Sequence, residues 1–197
     1  MVGPNPDPLN IFVVADQFRA TASLSLVIPN VASVIATVIP ELHSASRLYL
    51  PTSYMVCKAF ALELYFKCLI RIGGRSYGRE HDLKKLFRLI RLAHRSEIER
   101  RWQVNADALR SEVHGMYAAD GRPLPKVDLN FVLTTSKDAF SIMRYAFEGI
   151  PPDTGWLADT ILEAARDTIL AMYSDWERKQ QVFPAPAIRF PATSPIR

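Results

Sequence analysis

A chain of 197 residues with 49% hydrophobic and 22% charged residues has the balance of a single globular domain. That balance excludes intrinsic disorder and makes a second core unnecessary. Only two cysteines and four histidines are present, too few for a disulfide scaffold or a zinc cluster, and a net charge of +4 excludes a strongly acidic surface. Arg supplies most of the positive charge. Its planar fork of donors suits phosphate or carboxylate recognition, so the charge leans towards an anionic partner.

Residues 1–14 read as an irregular lead-in, because Pro4, Pro6, Pro8 and Gly3 crowd its start. No basic n-region or small-residue cleavage site precedes the first apolar stretch, so a reducing cytoplasm is the expected compartment. A first helical block is predicted from Ala15 to His43, bent or split at Pro29. Within it, Ala20 to Pro40 carries no charged residue and is about as long as a membrane span. Pro29, Asn30 and recurring Ser and Thr interrupt it, and no Lys/Arg cluster flanks it. A buried or partner-covered helix is therefore expected, with no membrane association. Such a surface also favours a homodimer.

The second helix, Thr52 to Ile72, is apolar on almost every side and is expected at the centre of the bundle. Cys57 and Cys68 both lie on it, roughly 16 Å apart at 1.5 Å per residue, so they cannot pair with each other. Glu63 and Lys67, four apart on the same helix, are expected to form a semi-buried ion pair that fixes packing. Gly73 and Gly74 follow as the residues best suited to close a helix.

A third helix is predicted to open at Asp82, an N-cap type, with Leu83, Leu86, Phe87 and Ile90 as its buried stripe. On its opposite face Lys84, Arg88, Arg91 and Arg95 recur at i, i+4, i+7 and i+11, one basic stripe able to track phosphates. A more polar fourth helix spans Ser96 to Tyr117. After a Gly/Pro loop, a fifth runs from about Asn130 to Phe147, and at its end Arg144 and Glu148, four apart, are spaced as an intrahelical pair. Pro151 and Pro152 divide it from a sixth, Thr154 to Gln181, whose stripe is Ala158, Ile161, Leu162, Ala165, Ile169, Met172, Tyr173 and Trp176. The prolines after Val182 make 182–197 an irregular tail. Residues 15–181 are thus expected to form one all-α bundle of five to six helices.

The segment Ala61-Leu62-Glu63-Leu64-Tyr65-Phe66-Lys67-Cys68-Leu69, followed by a glycine-bearing loop and His81-Asp82-Leu83, resembles the signature of the HEPN family. Phe140 to Glu148, with Arg144 and Tyr145, resembles a later helix of such domains. The first likeness covers about Thr52 to Ile90. The resemblance implies a helical bundle that dimerises around a polar cleft bearing Glu63, Lys67, Asp82, Arg144, Tyr145 and Glu148. It implies RNA or a nucleotide-bearing molecule as partner, with an antitoxin or a nucleotidyltransferase-like protein beside it, in a toxin–antitoxin or defence setting. Catalytic members carry an Arg followed after four to six residues by a His. Arg75 to His81 and Arg88 to His94 both have that spacing, and Arg75 with Ser76 next to it fits better.

Such a pair would act as a metal-independent endoribonuclease, His as general acid or base and Arg on the developing phosphorane charge. The family's motif lies on a late helix, however, where Arg144 has no His at that spacing, and His81 also serves the His-Asp-Leu step. Strong cleavage is therefore not expected. Gly73-Gly74 lacks a following Lys-Ser/Thr, His43 and His114 have no neighbour at metal-ligand spacing, and no cofactor is expected. A non-catalytic dimerising interaction module is the alternative.

Overall fold

The computed structural model describes residues 6–27, 43–137 and 158–179, and among them every regular element is a helix. α1 is Pro8–Val27, α2 His43–Ile72, α3 Leu83–Leu89, α4 Leu92–Ala119, α5 Leu129–Ser136, α6 Asp159–Met172 and α7 Trp176–Lys179. The all-α bundle expected from periodicity is what the chain forms. Among the described residues no helix is long and apolar enough to cross a membrane.

α1 begins well before the expected Ala15. Asp7 accepts a hydrogen bond from the Leu9 amide at 3.0 Å, and Pro8 takes the first helical position, where its missing N–H has no intrahelical partner to lose. The expected irregular lead-in thus contains a helical start whose Ile11, Phe12 and Val13 are buried. The stretch 28–42, with Pro29, lies outside the described residues.

α2 packs against α1, α3 and α6 and is the central helix. Ala61, Leu62, Tyr65, Phe66, Cys68, Leu69 and Ile70 are completely buried along it. It starts nine residues before the predicted Thr52 and runs through Pro51. Its C-terminus closes on Gly74 at φ +71°, with the Gly74 amide on the Arg71 carbonyl at 2.8 Å and the Arg75 amide on the Ile70 carbonyl at 3.0 Å. This paired arrangement satisfies carbonyls that the last turn leaves without helical partners.

Asp82 caps α3 as predicted, its carboxylate accepting from the Lys85 amide at 2.9 Å, and Leu83, Leu86 and Ile90 are buried. α3 is shorter than expected. Ile90 is extended, at ψ 144°, and its buried side chain anchors a corner after which α4 starts at Leu92.

α4 packs on α6, where the Trp102 indole N–H donates to Thr160 Oγ1 at 3.0 Å. Asp128 caps α5 by accepting from the Phe131 amide at 2.8 Å. The predicted sixth helix is two pieces. Ala158, Ile161, Leu162, Ala165 and Ile169 are buried as read from their spacing, but the helix ends at Met172. Tyr173 then turns outward and stacks on Trp176, ring centroids 4.3 Å apart. The tail after Lys179 lies outside the described residues.

Candidate functional site

Glu63 is wholly buried on α2, and a carboxylate without water must find compensating groups. Its Oε1 accepts from the Lys67 ammonium at 2.6 Å and lies 2.9 Å from His81 Nδ1. Its Oε2 is equally buried and has no hydrogen-bond partner. Lys67 is buried beside it, its Nζ 5.1 Å from the centroid of the Tyr77 ring.

His81 differs from the other two. Its side chain is 57% exposed, yet its ring is held from within by the carboxylate. The backbone that presents it is fixed by Glu80, whose Oε1 accepts from both the His81 and Asp82 amides at 3.0 Å. Those amides, Asp82 first, and the Lys85 ammonium hold the Glu80 carboxyl below its usual range. A buried carboxylate on Nδ1 sets the ring's orientation and leaves the Nε2 edge on the solvent side, the arrangement a proton-exchanging or hydrogen-bonding imidazole needs. Because Lys67 neutralises Glu63, the cluster is not itself a strong anion trap.

Arg75, the other half of the expected catalytic pair, faces a different neighbour. Its Nη1 donates to the Leu89 carbonyl at 3.0 Å, at the C-terminal end of α3, whereas His81 stands at the N-terminal end. Seven helical residues separate those ends by about 10 Å. The structure therefore brings Glu63, Lys67 and His81 together and leaves Arg75 with the far end of the same helix. Arg144, Tyr145 and Glu148 lie outside the described residues.

The basic stripe is not one stripe. The corner at Ile90 and Arg91 interrupts the helical repeat, so Lys84 and Arg88 belong to α3 while Arg91 and Arg95 open α4. Lys84 reaches Thr134 on α5 at 2.9 Å, and Arg91 Nε donates to the Gly73 carbonyl at 2.8 Å. Spacing alone could not reveal the break, because no Gly or Pro marks it.

A second polar cluster escaped the sequence reading. Arg166 on α6 grips the buried Asp16 of α1, with Nε 3.0 and 3.1 Å from its two oxygens, and Nη2 donates to Glu177 at 2.9 Å. The buried Tyr65 hydroxyl donates to the same Asp16. Burial lowers the Arg166 pKa, but the bonds to Asp16 and Glu177 outweigh it and the net shift is upward. Arg19 lies 3.8 Å from Asp16 and 3.5 Å from Glu163, and Lys58 lies 3.6 Å from Asp159 and 3.9 Å from Glu163. Such a network tethers α1, α2, α6 and α7 to each other. The only hint in the sequence was a charge placed within apolar runs, Asp16 after Val13-Val14-Ala15 and Arg166 four residues after Leu162.

Among the described residues no group of three or more His, Cys, Asp and Glu side chains is placed to hold a metal ion. Exposed Leu92, Val104 and Met116 of α4 are twelve residues apart and so about 120° apart around the helix, which scatters them rather than forming one apolar docking stripe. Compared with family models, curated proteins and solved structures, the chain matches none.

Proposed function

We propose that this chain is a HEPN-like domain that binds RNA or a nucleotide-bearing partner in the cytoplasm, in a toxin–antitoxin or defence setting, without strong RNA cleavage of its own. The observation that carries the reading is the exposed His81 imidazole held at 2.9 Å by the buried Glu63 carboxylate. An oriented ring at the surface contacts a ribose hydroxyl or phosphate oxygen at little conformational cost. Against strong cleavage stands Arg75, engaged at the other end of α3, so the guanidinium that the resemblance pairs with His81 is held away from it. Homodimerisation through the charge-free segment 20–40 belongs to the same proposal, and a monomer mass in light scattering would remove that part.

Expression of the wild type and of His81→Ala and Arg75→Ala, each without any neighbouring gene, tests the reading when paired with titration of the purified proteins onto labelled single-stranded RNA. Intact cellular RNA, RNA binding by the wild type and weaker binding by His81→Ala are the expected results. Degraded RNA that both substitutions protect, in folded protein, would show a nuclease instead. Failure of the wild type to bind any RNA would remove the function as stated.

A further inference from the structure

The turn that closes α2 is surrounded by arginines. Arg71 Nη1 donates to the Arg75 carbonyl at 3.2 Å, Arg75 donates to Leu89, and Arg91 donates to Gly73. A Cβ placed on Gly73 would lie 3.1 Å from Arg91 Cγ, so the Arg91 side chain rests directly on the glycine turn. Arg88 is in the last turn of α3, and Arg95 is in the first turn of α4. Every partner found for the Arg71, Arg75 and Arg91 guanidiniums is a backbone carbonyl, and none of these five arginines forms an ion pair among the described residues. Glu97, the nearest acid along α4, is occupied by Arg100 and Arg101, each at 2.7 Å.

Unsatisfied groups gather at the same corner. Arg71 Nε, Arg95 Nε and His94 Nδ1 are buried atoms without hydrogen-bond partners. α4 begins at Leu92, its N-cap residue Arg91 makes no side-chain cap bond, and its first turn has no acidic residue, so its opening amides have no carboxylate on them. Burial first, and then the Arg91 charge, keeps the His94 pKa below its usual value. Native chains balance such concentrations of donors with acceptors.

We infer that this corner, where α2, α3 and α4 meet, is a phosphate-binding surface that takes the backbone of single-stranded RNA on Arg71, Arg75, Arg88, Arg91 and Arg95. The inference rests on the proposed function and deepens it, assigning phosphate contact to a place other than the charge-neutral Glu63–Lys67–His81 cluster. Guanidinium forks already fixed by backbone carbonyls keep further N–H donors for phosphate oxygens, and the uncapped amides of α4 add a favourable dipole end. The loop 73–82 joins this corner to His81, so one strand can touch both. Exposed Leu89 and Leu92 are the large apolar side chains among these cations, too few for an apolar face that lies on lipid.

Fluorescence anisotropy of a labelled single-stranded RNA, between about 50 and about 200 mM salt, gives both affinity and salt slope. Arg75→Gln/Arg91→Gln is expected to weaken binding roughly tenfold and to reduce the slope by about 1.4, and Arg88→Gln to reduce it by about 0.7, near the value for one single-strand phosphate. Lys126→Gln, which removes a remote exposed charge, should change neither. The paired variant also loses two backbone contacts. If it fails to fold, Arg88→Gln decides, because the Arg88 side chain forms no hydrogen bond or ion pair among the described residues.

A wild type that binds RNA while the folded variants keep its affinity and slope would overturn the inference and leave the function standing. An equal loss in Lys126→Gln would do the same, since net charge would then explain it. No RNA binding by the wild type at about 50 mM salt would overturn both. Arginine-dependent binding to vesicles of anionic phospholipid, with RNA affinity unchanged in the variants, would reassign the corner to a membrane surface.

Discussion

Removing the Glu63 carboxylate leaves the Lys67 ammonium at 8% exposure, without its ion-pair partner and beside the Tyr77 ring. A lone cation in such a place is far worse than a pair, and worse than no charge at all. Glu63→Ala is therefore expected to cost about 3 kcal/mol, and Glu63→Ala with Lys67→Met clearly less, so that urea unfolding of the two singles and the double returns a coupling of at least about 1 kcal/mol. Losses that simply add would mean the pair is not desolvated as a unit. The pair was legible because an acid and a base four apart on an otherwise apolar helix admit few other readings. His81 was not. Its bond to Glu63 spans eighteen residues, and its backbone is fixed by Glu80, which no spacing rule singled out.

Among the helices, the start of α3 and the stop of α2 were readable from a local chemical cause, the Asp7-Pro8 start of α1 carries such a cause but was obscured by the prolines around it, and the corner set by packing was not readable. Asp82 and the Gly73-Gly74 turn carry their signals in the residue type, whereas the corner at Ile90 exists because a buried isoleucine and the Arg91 contact with Gly73 fix it from outside the helix. Two glycines make opposite tests. Gly74 needs φ +71°, so Gly74→Ala should lower stability by about 1–2 kcal/mol. Gly115 lies inside α4 with open space around its missing Cβ, and Gly115→Ala should raise stability by about 0.5–1 kcal/mol. Thermal midpoints moving in the same direction for both would contradict this account of the two turns of chain.

For the molecule as a whole, Asp16 and Arg166 matter most, because they join helices 150 residues apart in sequence. Periodicity cannot find such a contact: it assigns faces, but not which charge meets which. Asp16 is 4% exposed and Arg166 9%, so each was buried in exchange for the other, with Tyr65 and Glu177 completing the site. Among the described residues, Asp16→Ala leaves the buried guanidinium with Glu177, which is 62% exposed, as its remaining acid, and is expected to cost about 3 kcal/mol. Adding Arg166→Met should return part of that loss, because a well-packed apolar chain replaces a stranded cation. Glu177→Ala alone should stay within about 1 kcal/mol, as for an exposed partner. Hydrogen exchange separates this tether from a merely local pair. If Asp16 holds α6 to α1 and α2, then Asp16→Ala accelerates exchange in Asp159–Met172 as well as in α1, and acceleration confined to α1 would show that α6 is held by its contacts with α4 and not by this network.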